Sequence, residues 1–164
     1  MNKPPLVVNT SPLLYLGRIS QIDLIPALFA PVYIPEQVVL ELDAGRLMRS
    51  DTINPRLLEW ATLITVPPTE IAALPPNRLS AGEQAVIACA LLQGKVMVGL
   101  DDRQARLFAL ELGLAVVGTI GITLKAKRAG LISSVQPLLD EVRQRGFYLH
   151  PELYYEALRL AGEA

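Results

Sequence analysis

The sequence predicts an α/β fold: a mainly parallel central sheet covered by helices on both faces. Three observations carry this. Short β-branched apolar segments are bounded by turn residues, helical patterns lie between or after them, and the composition is core-rich. Of 164 residues, 51% are hydrophobic and 19% charged. Buried parallel strands read as short apolar runs, and alternation with helices is what a sheet covered on both sides requires.

The elements follow in order. The first strand, Leu6–Val8, runs into Asn9-Thr10-Ser11-Pro12. There Ser11 offers an N-cap, and Pro12 the favoured first position, for a helix over 12–18. A helix over 22–29 precedes the strand Val32–Ile34, which passes into a helix over 36–45. A helical pattern over 55–61 leads to the strand Leu63–Val66. The Pro-rich "VPPTEIAALPPNR" (66–78) is a loop between two halves of the domain. "LSAGEQAVIACAL" starts a helix over 81–93, with Ser80 and Glu83 spaced as a capping box. The strand Lys95–Leu100 ends in Asp101-Asp102 and a helix over 102–113. In "ELGLAVVGT", Gly113 stops that helix before the strand Ala115–Val117. Helices over 120–129, 134–145 (with Gly146 as a stop) and 151–162 complete the pattern. The last is amphipathic through Leu153, Ala157, Leu158 and Ala161, and is expected to pack on the domain.

Length fits one domain over 1–164. No apolar run approaches the roughly 18 residues needed to cross a membrane, and no secretory pattern is present, so a cytoplasmic protein is expected. Cys89 is the single cysteine, which excludes a disulfide framework and suggests a buried thiol. The one histidine, His150, precedes Pro151 and reads as a helix-start or surface residue, so His-based triads and zinc sites are not expected. The net charge of −1 and pI near 5.8 are unlike a generic nucleic-acid binder, but a cluster of acids in a site would mask basic surface elsewhere.

In open α/β sheets ligands bind beyond the carboxyl ends of the strands. Asn9 follows the first strand there, and Asp101 and Asp102 the fourth. Glu41 sits on the helix after the second strand, and Glu83 near the start of the helix before the fourth. Each acid has an ordinary structural explanation. Glu83 completes a capping box, Asp101 or Asp102 caps a helix, and Glu41 is a solvated face residue. Position argues the other way. Glu83 stands three, four and seven residues before Val86, Ile87 and Ala90, and Glu41 three after Val38, so both share an apolar side. Inward acids are costly unless paired or metal-bound, and a hard dication such as Mg²⁺ or Mn²⁺ resolves their repulsion.

The ordered segments "VVNTSPLLYLGRI", "VYIPEQVVLEL", "LSAGEQAVIACAL", "VGLDDRQARLFALELGLAVVGTIGITLKAKRAGLI" and "PLLDEVRQRGFYLHPELYYEAL" resemble the PIN-domain family. This is a family of metal-dependent ribonucleases that includes toxin nucleases, and the closest likeness is to a poorly characterised bacterial and archaeal subgroup. The resemblance implies a three-layer α/β/α sandwich. It also implies hydrolysis of RNA phosphodiesters with Mg²⁺ or Mn²⁺, held by Asn9, Glu41, Glu83, Asp101 and Asp102. Glu41, Glu83 and Asp102 match three family acids and would be catalytic. Asn9 stands where the family usually has Asp, and its amide oxygen carries no charge. Thr10 and Ser11 match the small hydroxyl residues beside that ligand. They are expected at the RNA with Arg103 and Lys125, although basic residues late in helices also complement the helix dipole. An antitoxin-like partner and a homodimer are further implications. The alternative is a catalytically inert binding module of a toxin–antitoxin-type or regulatory complex.

Overall fold

A computed structural model describes residues 2–164. Five strands form one parallel sheet: β1 (Leu6–Val8), β2 (Val32–Pro35), β3 (Ala61–Ile64), β4 (Met97–Gly99) and β5 (Val116–Val117), in the order β3-β2-β1-β4-β5. In register, Leu6 lies opposite Val32 and Met97, and Val8 opposite Gly99. Leu6, Val7 and Val8 are fully buried, and each such side chain contributes about 1.5–3 kcal/mol on leaving water. Gly99 suits its central place, because a Cβ there would meet the Val8 side chain at 3.0 Å.

The helices are α1 (Thr10–Arg18), α2 (Leu24–Leu28), α3 (Glu36–Met48), α4 (Pro68–Ala72), α5 (Ala81–Leu92), α6 (Arg103–Glu111), α7 (Thr119–Arg128), α8 (Gln136–Gln144) and α9 (Pro151–Leu160). α1 and α2 pack with α7, while α5 lies across β1, β2 and β4. The result is the expected three-layer α/β/α sandwich. Seven residues of α5 are buried, including Cys89. α8 and α9 share a smaller cluster of Val135, Leu139, Leu149, Tyr154, Ala157 and Leu158. Two polar ties fasten it. The Tyr154 hydroxyl donates to Asp140 at 2.7 Å. Glu163 accepts from the amides of Val135 and Gln136 at 2.7 and 3.0 Å and from Lys127 Nζ at 2.9 Å.

Several boundaries differ from the sequence expectation. The helix expected over 55–61 is a single 3-10 turn, Pro55–Leu57. Asn54 accepts from the Arg56 amide and holds that turn, and β3 already pairs with β2 from Ala61. The Pro-rich loop contains α4. β4 is shorter than Lys95–Leu100 because Lys95 has a φ of 65° and belongs to the turn after α5. Gly113 and Gly146 end helices as expected, with φ of 82° and 100°. His150 is the N-cap of α9, its Nδ1 accepting from the Glu152 amide. Among the described residues, no helix is long and apolar enough to cross a membrane.

Candidate functional site

The chain leaves β1 toward β2 and leaves β4 toward β5, so connections diverge between β1 and β4 and a crevice opens beyond their carboxyl ends. Asn9 stands at that point. It occupies the N-cap position of α1 without capping it, since its side chain accepts no helix amide. It is 7% exposed, and its Oδ1 is buried with no hydrogen-bond partner.

Thr10 and Ser11 start α1, and each hydroxyl reaches a carboxylate. Thr10 Oγ1 donates to Glu41 Oε2 at 2.5 Å, and Ser11 Oγ donates to Asp101 Oδ2 at 2.7 Å. Ser11 therefore does not cap the helix as the sequence suggests. Glu41 comes in on α3, and its Oε1 accepts the Gly82 amide at 2.9 Å. That amide is one of the free donors of the first turn of α5, where an anion is favoured. A side chain on residue 82 would block the contact, because a Cβ there would lie 2.5 Å from Glu41 Oε1. Asp101 follows β4 and also accepts from the Thr119 amide at 2.7 Å and the Thr119 hydroxyl at 2.6 Å. Three chain segments, after β1, β4 and β5, thus meet at one carboxylate.

Two acids of the expected set are engaged elsewhere. Glu83 forms its capping box, accepting from the Ser80 amide at 3.0 Å while its own amide donates to Ser80 Oγ at 3.2 Å. The inward place on that turn belongs to the neighbouring Gly82 amide. Asp102 is exposed at the N-cap of α6, accepting from the Ala105 amide at 2.9 Å. Asp101 is the residue of the pair that faces α1 and α7. Among the described residues, no three or more His, Cys, Asp or Glu side chains form a group that could hold a metal. The acids that the start of α1 gathers are Glu41 and Asp101, tied to Thr10 and Ser11, the two residues that follow Asn9.

Arg103 is exposed at the start of α6 and, with Asp101 and Arg106, lines a groove of about 860 Å³. Lys125 does not join them. Its ammonium lies 5.8 Å from the ring centre of Phe29, which precedes β2 and so marks the amino edge of the sheet. Sequence reasoning missed Thr119. Its signal is present in "VVGT", a strand followed by a small residue and a hydroxyl, much as "VVNT" ends β1. It also missed Gly82 and Gly118, whose importance is room for neighbours and leaves no sequence pattern.

A parallel five-stranded α/β/α sandwich with acids at its carboxyl edge is a ligand-binding architecture that serves many functions. A family profile described as PIN domain matches residues 5–163. The chain belongs to the PIN-domain family, whose members typically use divalent metals. No curated protein matches it.

Proposed function

We propose that this protein is a metal-dependent ribonuclease whose centre is built on Glu41, Asp101 and Asn9. The observation that carries this is the partnerless buried oxygen of Asn9, one residue before the two hydroxyls that hold the acids. A buried acceptor without a donor costs about 1–3 kcal/mol, and a cation relieves that cost. The donor set fits Mg²⁺ or Mn²⁺, which take oxygen ligands, often only one or two carboxylates, and keep several waters. Bound there, the dication would supply an acidified water and stabilise charge on the phosphoryl oxygens.

The chain's own contribution is preorganisation. Thr10, Ser11, Thr119 and the Gly82 amide hold both carboxylates before any substrate arrives, so they need not rearrange as charge develops. Asn9 offers a neutral oxygen in the place of a carboxylate, which weakens attraction for a dication. Glu83 and Asp102 each commit one carboxylate oxygen to a helix cap. Those two commitments, with the neutral Asn9, favour one second reading: an inert PIN-shaped module acting through a protein partner or a second copy.

Asn9→Asp separates the two readings. On the nuclease reading, the added charge raises Mn²⁺ affinity, read as the metal concentration that half-shifts the melting temperature. Cleavage of single-stranded RNA rises with it, and stability without metal falls. Unchanged metal affinity, with no cleavage by parent or variant, would leave the inert module.

A further inference from the structure

We infer that Arg106 is the group that grips a phosphodiester of the RNA strand beside the acidic centre; this rests on the nuclease reading above. The Glu41 and Asp101 charges repel a nucleic acid, so a strand needs a fixed cation where it passes them. Arg106 stands at that place. Its Nη1 donates to the carbonyl of Leu100, at the end of β4, at 3.0 Å. The guanidinium is thereby anchored to the same strand end that presents Asp101. Gly118 makes room for both, because a Cβ there would lie 2.6 Å from Arg106 Nη1 and 2.9 Å from Asp101 Oδ1. Yet among the described residues Arg106 forms no ion pair. Asp101 is satisfied instead by Ser11 and Thr119.

Arg106 carries five N–H donors in a planar fork suited to phosphate, and the Leu100 carbonyl takes only one direction of it. Arg106 lines, with Arg103, a groove between α6, α7 and α9 that Asp101, Glu152 and Glu156 share. The geometry is that of a cation kept half-buried and anchored beside Asp101 without a direct ion pair.

The test is binding of a fluorescent single-stranded RNA in EDTA, so that no metal or cleavage enters. Arg106→Gln removes the charge and leaves a shorter polar side chain, and Arg106→Lys restores charge without the fork. Arg106→Gln should bind about tenfold more weakly. Its slope of log affinity against log salt should fall by about 0.7, the value for one phosphate contact on a single strand. Arg106→Lys should recover the slope and part of the affinity. The Mn²⁺-induced melting shift should persist in both variants, at lower metal concentration in Arg106→Gln because a neighbouring positive charge is gone. Unchanged affinity and slope in Arg106→Gln would overturn the assignment while leaving the nuclease reading intact. So would displacement of the RNA by millimolar inorganic phosphate at constant ionic strength, which would indicate a site for a free phosphate. A parent that shifts with Mn²⁺ but binds no RNA would overturn both.

Discussion

Asp101 and Asp102 are adjacent and chemically identical, yet they should respond very differently to truncation. Asp101→Ala removes the acceptor for Ser11 Oγ, Thr119 Oγ1 and the Thr119 amide. Thr119 is fully buried, so water does not replace the lost partner. An unpaired buried amide costs about 1–3 kcal/mol, and the two stranded hydroxyls bring the total to about 3–4 kcal/mol. Asp102→Ala removes only an exposed helix cap, worth about 1 kcal/mol. For a chain of this size each kcal/mol lowers the melting temperature by about 2–4 °C. Thermal denaturation in EDTA at neutral pH should therefore show Asp101→Ala about 10 °C below the parent and Asp102→Ala about 3 °C below. Asp101→Asn keeps an oxygen for the Thr119 amide and should fall between them. Repeating the melts with Mn²⁺ gives a second readout, since the metal-induced rise should vanish in Asp101→Ala and persist in Asp102→Ala. A loss in Asp102→Ala equal to or larger than that in Asp101→Ala would refute the placement of Asp101 at the centre.

Gly82→Ala should drive Glu41 from its place, because the new methyl would lie 2.5 Å from Oε1. We expect the Thr10 and Gly82 hydrogen bonds to Glu41 to be lost, a stability loss of about 1–3 kcal/mol by denaturant titration, together with a weaker response to Mn²⁺; a parent-like stability and response would refute the hold of the Gly82 amide on Glu41. The tie between Glu163 and α8 sets a pH dependence. Burial opposes ionisation of Glu163, but the Val135 amide, the Lys127 ammonium and the Gln136 amide outweigh it and hold its carboxyl below the ordinary glutamate value. A depressed folded-state value means that the stabilisation is present above the unfolded pKa and is lost as pH falls through the folded one. Glu163→Gln should accordingly melt below the parent at pH 7, and the gap should close as pH falls beneath about 4; a gap independent of pH would refute the tie.

The sheet was legible because its strands are short, β-branched and punctuated, and because Gly113 and Gly146 mark helix ends. The 55–61 helix was misjudged because the turn-forming bond is local to Asn54 and Arg56, while the start of β3 depends on pairing with β2, which no window of sequence contains. At the site, Asn9 and its two hydroxyl neighbours were legible as a strand end. The split of roles within Asp101-Asp102 was not, since both residues suit a cap and only the arrival of Thr119 from beyond β5 decides which turns inward. Glu83 carried both signals at once, inward spacing and a capping box, and the free amides of the first turn decided in favour of the box. Lys125 was read as basic surface near the acids, but its position late in α7 carries it along the helix to the other edge of the sheet.

Cys89, wholly enclosed in α5, has a consequence for experiment. Its thiol is the chain's single one, and burial pushes its pKa up to about 11. A thiol reagent therefore reacts only when α5 opens, and the labelling rate becomes a clock for that opening. The same helix presents the Gly82 amide to Glu41 at its other end. On the nuclease reading, occupancy of a centre that contains no chromophore would be followed through a sulfur outside it, without adding a dye-bearing residue to the chain.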